Sequence, residues 1–368
     1  MVDVPAVDEL HSCAYRVPTD RPEGDGTLTW DATTVVVVTV RAGDTTGTGW
    51  TYGSAGCRTV IESDLVNVVV GTNPLDVTGT NGSMVRAIRN LGRPGVVSSA
   101  IAAVDTALWD LKARLLDLPL AVLFGRYRSQ VAIYGSGGFT TYDDITTVRQ
   151  LEGWVADWGA NAVKIKIGES WGSEPERDMH RVGLARDAVG TDVDLLVDAN
   201  GAYGRKQAVR IGQRLVEEHG VSWFEEPLSS DDLEGLRHVR QQCSIDVAAG
   251  EYGYDLPYFD RMIAAEAVDC VQVDVTRCGG YTEWLRVANL ARARSLDVSG
   301  HCAPNLHAHV AGAVPNLRHV EYFHDHYRIE SLLFDGSLQP RHGALWPEDT
   351  PGHGLVLKAS DAEQYVLR

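Results

Sequence analysis

The chain has 368 residues, 44% hydrophobic and 23% charged, a balance ordinary for a soluble globular protein and a length that suits about two domains. Its formal net charge of −17 argues against nucleic acid or an anionic membrane surface as partner. An anionic small molecule is not excluded, because a bound divalent ion and nearby lysines reverse the local field.

The start, MVDVPAVDEL, has neither a basic nor an apolar leader pattern, so no signal peptide is expected and the expected location is cytoplasmic. TTVVVVTV (33–40) reads as a strand, too short and too β-branched to span a membrane. GTGWTYG follows as a turn and a second strand. Residues 98–125, SSAIAAVDTALWDLKARLLDLPLAVLFG, carry helical spacing and end at a glycine. Strand, strand, then helices predicts a small N-terminal α+β domain over 1–127. The six cysteines (Cys13, Cys57, Cys243, Cys270, Cys278 and Cys302) form no CxxC pair and read as reduced, mostly buried thiols.

From about residue 128 to 326 the pattern becomes strand, loop, helix, repeated. The apolar runs are VAIYGSG, AVKIKIG, DLLVDAN, VSWFEEP, DVAAGEY, CVQVDV, LDVSGHC and HVEYF. Eight such runs, separated by stretches of helical period, predict an α/β fold: a parallel (β/α) barrel of the TIM type. A doubly wound open sheet is the alternative, but it would not gather six strand ends around one centre. Residues 327–368 have no clear period and are expected to return to the first domain. No GxGxxG lies between a strand and a helix, which excludes a nicotinamide oxidoreductase.

Three carboxylates close successive apolar runs: Asp198, Glu225 and Glu251, spaced 27 and 26 residues apart. A single acid after a strand usually caps the next helix. One acid per barrel strand is instead the arrangement that makes an all-oxygen site for a hard divalent cation, Mg²⁺. Glu226 is the alternative to Glu225, and a one-residue step along a strand should turn only one of them inward. Lys164 and Lys166 share a strand face, and two close ammonium groups should lower at least one pKa, which suits a base. Asp274 is placed to orient His301 through one ring nitrogen. Glu321 ends the eighth run and is expected to contact a substrate oxygen. Asn200 shares a face with Asp198, as a supporting or substrate-binding group. His307, His309, His324 and His326 read as structural or surface residues.

These residues resemble the enolase superfamily, and within it the mandelate racemase subgroup, over nearly the whole chain. KIK resembles the family's KxK motif; DAN, EEP and GE resemble its three metal-ligand motifs; Asp274 with His301 resembles its Asp–His dyad. The resemblance implies a (β/α)₇β barrel capped by the N-terminal α+β domain, with residues 15–31 as the loop closing over substrate. It implies Mg²⁺ on Asp198, Glu225 and Glu251, with Lys166 (its pKa lowered by Lys164) and the His301–Asp274 pair as acid and base on opposite faces. It also implies a homo-oligomer. Gly300, where a proline is common, and Cys302 depart from the family pattern. The shared step in such enzymes is removal of a proton α to a carboxylate, giving an enediolate that Mg²⁺, Lys164 and Glu321 would stabilise. Dehydration of an acid sugar to a 2-keto-3-deoxy acid is the expected outcome. Racemisation, epimerisation or cycloisomerisation would follow from other substrates, and a non-catalytic metal-stabilised binding protein is the remote alternative.

Overall fold

A computed structural model describes residues 4–367. The N-terminal part is a three-stranded antiparallel sheet: β1 (Glu9–Gly24), β2 (Thr29–Ala42) and β3 (Thr45–Tyr52), in the order β1-β2-β3. Its valines alternate between two cores. Val35 and Val37 face the barrel, while Val36, Val38 and Val40 pack with the helix Val96–Leu115 in a separate N-terminal core. That helix lies so close to β3 that a Cβ on Gly47 or Gly49 would stand within 2.3 Å of helix atoms. Both positions therefore have to be glycine.

Two local expectations differ from the structure. Residues 15–24 are not loop: they continue β1, paired with β2 through a register shift between Pro18 and Glu23. The polar, proline-containing TDRPEG hides a strand because its partner lies in the next segment. The helical stretch at 98–125 is likewise two pieces, Val96–Leu115 and Leu120–Leu123. Asp117, at φ +52°, breaks the helix, and Pro119 precedes the second piece.

The barrel is closed and all parallel: β4 (Val131–Gly137), β5 (Ala162–Lys166), β6 (Asp194–Asp198), β7 (Trp223–Glu225), β8 (Asp246–Ala249), β9 (Cys270–Val273), β10 (Asp297–Gly300) and β11 (Leu317–Phe323). Closure comes from β11 pairing with β4, Val320 opposite Ile133. Helices follow every strand, the last being His324–Leu333 after β11. Beyond it, β12 (Phe334–Asp335) pairs with β14 (Val356–Leu357), and β13 (Ala344–Leu345) adds antiparallel to β4. The last described residue, Leu367, donates its backbone N–H to Ala14 O at 2.8 Å. Among the described residues no helix is long and apolar enough to cross a membrane.

Buried polar contacts join the sheet and the barrel. Glu330, in the helix after β11, accepts from Trp50 Nε1 and Tyr52 OH of β3 (both 3.2 Å) and from Asn305 Nδ2 (2.6 Å). Asp105 of Val96–Leu115 accepts from Thr282 and from Asn81.

Candidate active site at the carboxyl ends of the barrel strands

In a barrel of this type the carboxyl ends of the strands form one mouth, and residues ending different strands converge there. Register does this directly: Lys166 stands opposite Asp198, and Asp198 opposite Glu225, across three consecutive strands. On the other side Val273 is opposite Gly300, so Asp274 and His301 emerge side by side.

Asp198, Glu225 and Glu251 are all buried, and one ligand oxygen of each lies within 4.8 Å of the others. Glu251 follows Gly250, whose φ is +138°; a Cβ there would stand 2.2 Å from Gln272 O, so only glycine delivers Glu251 at this point. Glu251 Oε2 is buried without a hydrogen bond, although His301 Nε2 stands 3.3 Å away. Burial, followed by the charges of Asp198, Glu321 and Glu251, pushes Glu225 up to about 8 against the pull of Lys164. Three crowded carboxylates with an unsatisfied oxygen form a donor set that fits one hard dication.

Lys164 Nζ sits 2.7 Å from Glu225 Oε1, 2.8 Å from Glu321 Oε1 and 3.8 Å from Asp198 Oδ2. Lys166 Nζ contacts Asp198 Oδ2 at 2.5 Å. Each lysine is therefore in direct contact with carboxylate oxygen, and Asp198 Oδ2 lies within 3.8 Å of both. Burial opposes their charge, but the acids outweigh it, and both are held above the ordinary lysine range. The lowering expected from the lysine pair is present as Lys164 acting on Lys166, and it is overridden.

His301 Nδ1 is 2.8 Å from Asp274 Oδ2. Asp274 is also held by Thr276 N and Oγ1 (each 2.7 Å) and approached by Arg277 Nε at 3.4 Å. Arg277 reaches Glu251 Oε1 as well, at 3.2 Å. Burial works against charge on His301, yet Cys302, then Glu251, Glu321 and Asp274, hold it well above the usual histidine range. Glu321 takes Lys164 and Ser136 Oγ (2.6 Å) on Oε1 and Cys302 N (3.0 Å) on Oε2. Asn200, at φ +45°, donates its backbone N–H to Asp198 Oδ1, while its side-chain oxygen has no hydrogen-bond partner.

A cavity of about 240 Å³ opens over this cluster. Barrel residues Lys166, Glu251, Arg277 and His301 line one side, and Asp25, Trp30 and Thr33 of the β1–β2 hairpin line the other. The hairpin tip is docked by Thr140 N on Gly24 O and Trp171 N on Gly26 O, both 2.8 Å. Asn200 and Tyr252 are shared with a wider adjoining cleft lined also by Leu28 and Trp171.

Glu226 corrects a simple alternation argument. It is buried like Glu225, because φ at Glu226 is +37° and the strand pleat has ended; it lines the adjoining cleft instead of turning to solvent. His326, read as structural or surface, lies in the cavity wall, stacked on Tyr52 with ring centroids 3.4 Å apart. His307 is structural: its Nδ1 lies 2.8 Å from Cys302 O, and its Nε2 accepts from Val275 N at 3.1 Å, fixing the turn after β10. His309 is buried and His324 pairs with Asp20. The site also holds three residues that the sequence motifs do not mark: Arg277, Ser136 and Tyr134, whose OH lies 3.4 Å from Lys164 Nζ. Tyr134 and Ser136 were accessible to sequence reasoning, since alternation in VAIYGSG puts both on one face.

Comparison with known proteins agrees with this fold. Residues 13–125 match the mandelate racemase / muconate lactonizing enzyme N-terminal domain, and residues 146–362 match the enolase C-terminal domain-like family. L-talarate/galactarate dehydratase of Salmonella typhimurium is 29% identical over 88% of this chain and 80% of its own. The 3,6-anhydro-alpha-L-galactonate cycloisomerase of Streptomyces coelicolor is 31% identical over 87% and 89%. Among solved structures, a mandelate racemase/muconate lactonizing enzyme-like protein from Rubrobacter xylanophilus superposes with TM-score 0.95 at 49% identity, covering 99% of this chain and all of that one. A mutant L-talarate/galactarate dehydratase liganded with Mg and L-glucarate gives TM-score 0.91 at 26% identity, over 98% and 92%.

Proposed function

The chain belongs to the mandelate racemase subgroup of the Mg²⁺-dependent enolase superfamily, and from that premise we propose that it dehydrates an acid sugar, an aldonate or aldarate, to a 2-keto-3-deoxy acid. The observation that carries the proposal is the placement of two proton-transfer groups in one cavity. Lys166 Nζ comes in from the Asp198 side and His301 Nε2 from the Glu251 side.

Mg²⁺ held by Asp198, Glu225 and Glu251 would supply electrostatic stabilisation of the negative charge that builds on the substrate carboxylate. With the charge of Asp198 and Glu251 taken up by the bound dication, the acids that hold Lys166 and His301 protonated would be offset, and the two groups would act as base and acid. One removes the proton next to the carboxylate, and the other protonates the departing β-hydroxyl, which leaves as water; tautomerisation gives the keto acid. The configuration at C2 decides which residue takes the proton. Asp274 on Nδ1 leaves Nε2 as the nitrogen that exchanges protons with substrate. Lys164, held between Glu225 and Glu321, places fixed positive charge beside the reacting carboxylate. The polar lining from Asp25 and Thr33 suits a polyol chain, and the names of the talarate/galactarate relatives support an acid sugar.

The test is a screen of the Mg²⁺-loaded protein against mono- and diacid sugars, reading 2-keto acid. A hit whose turnover disappears in Lys166→Ala and His301→Ala supports the proposal. Unchanged turnover in both variants overturns the residue roles. Exchange of the α-proton in D₂O without keto acid overturns dehydration in favour of epimerisation or cycloisomerisation.

A further inference from the structure

After β10 the chain turns through two left-handed residues, Cys302 at φ +51° and Ala303 at φ +38°. The turn carries Cys302 Sγ to 3.3 Å from His301 Nε2 and 3.4 Å from Glu321 Oε2, and the nitrogen and oxygen are 3.7 Å apart. All three side chains are buried, and His301 and Cys302 line the cavity wall.

A tetrahedral zinc ion binds N, O and S donors at about 2.0–2.3 Å, which sets its ligand atoms roughly 3.3–3.6 Å apart. The two separations to sulfur, 3.3 and 3.4 Å, fall in that range, and the nitrogen–oxygen separation of 3.7 Å lies 0.1 Å beyond it. The donor set points the same way. One imidazole, one thiol and one carboxylate suit a borderline-soft cation, whereas the triad of Asp198, Glu225 and Glu251 offers oxygen alone.

We propose that His301, Cys302 and Glu321 form a second cation site, selective for thiophilic metals such as Zn²⁺, with its fourth position open to the cavity. His301 keeps its proton on Nδ1 toward Asp274 and releases the one on Nε2 to solvent, freeing that lone pair for the metal. Cys302 releases its thiol proton to solvent as the metal–sulfur bond forms. Glu321 contributes Oε2, since Oε1 is engaged by Lys164 and Ser136. Thiolate and carboxylate together balance the dication. Zinc bound here removes Nε2 from proton transfer, and Mg²⁺, which prefers oxygen, does not displace it.

Cobalt(II) titrated into the Mg²⁺-saturated protein tests this without a substrate, so its result is independent of the dehydration proposal. The expected result is one equivalent bound with a thiolate-to-cobalt charge-transfer band and the strong visible bands of tetrahedral cobalt. Cys302→Ala should lose that band and weaken Zn²⁺ binding by more than about 100-fold, while keeping its stabilisation by Mg²⁺. No thiolate band in the parent protein, or the same band in Cys302→Ala, overturns the site. If Cys302→Ala does not fold, X-ray absorption of the zinc-loaded parent decides: one sulfur and one imidazole in the shell support the site, and an all-oxygen shell overturns it.

Discussion

Asp274 Oδ2 stands 2.8 Å from His301 Nδ1, and this contact fixes which ring nitrogen faces the cavity. Asp274→Asn keeps the shape but lets the amide donate instead of accept, so the ring is stabilised in the wrong tautomer. Turnover should fall by roughly 10²–10⁴-fold with the melting temperature nearly unchanged. Steady-state kinetics with a substrate from the acid-sugar screen measures this. Because Asp274 acts through His301, the loss should lie in kcat, with KM little altered.

The three convergent acids predict that Mg²⁺ stabilises the fold. At about 100 times its dissociation constant a ligand specific to the native state adds about 2.7 kcal/mol. Thermal denaturation with and without Mg²⁺ should therefore differ by several degrees, and Asp198→Asn or Glu251→Gln should abolish the difference. EDTA should remove both the stabilisation and the activity. Equal melting temperatures across a Mg²⁺ titration would contradict a metal role for the triad.

Gly250 is the backbone condition for Glu251. In Gly250→Ala the new methyl would meet Gln272 O at 2.2 Å, at a φ of +138° that L-residues avoid. Relief requires β8 to shift away from β9, at a cost of order 1–3 kcal/mol or more. The variant should melt lower and lose its response to Mg²⁺. A melting curve matching the parent would show that the strand end relaxes freely.

Glu330 and Asp105 give stability a definite pH dependence. Burial raises each to about 7, against hydrogen bonds from Asn305, Tyr52 and Trp50 on Glu330 and from Thr282 and Asn81 on Asp105. A carboxyl raised on folding favours the protonated native state. For Glu330 that contribution is complete below its unfolded value of 4.5 and is lost as pH rises through about 7. Glu330→Gln cannot ionise. Its stability relative to the parent should therefore rise across that window, by up to about 3 kcal/mol. Parallel curves of melting temperature against pH for the two proteins would disprove the assignment.

The barrel and the acid triad were legible because each rests on a regular signal. Parallel barrel strands are buried on both faces, so they appear as short apolar runs, and each acid ends one. The β1 extension was not legible, since TDRPEG has turn composition and is carried as strand only because Pro18 before it and Glu23 and Gly24 at its end pair with Ala32, Trp30 and Thr29. The break at Asp117 was hidden because a left-handed residue inside a helix-rich stretch leaves little compositional trace. Glu226 and His326 illustrate a further limit. Their positions depend on backbone that has left the strand, where alternation no longer predicts facing. The lysine pair shows an electrostatic limit: adjacency is visible in KIK, but the acids arriving from β6 and β11, which outweigh Lys164 at Lys166 when no dication is bound, are not.

The docked hairpin tip has a consequence for traffic. Thr140 and Trp171 each hold a carbonyl of the Gly24–Gly26 segment, and Lys166, Glu251 and His301 below it have almost no contact with solvent. Opening those two backbone bonds would lift the tip and widen the way in, beside the route that the adjoining cleft already offers through Asn200 and Tyr252. The strand pairing that makes residues 15–24 part of a sheet would then serve as the hinge of a lid, and lid opening would compete with proton transfer in limiting turnover.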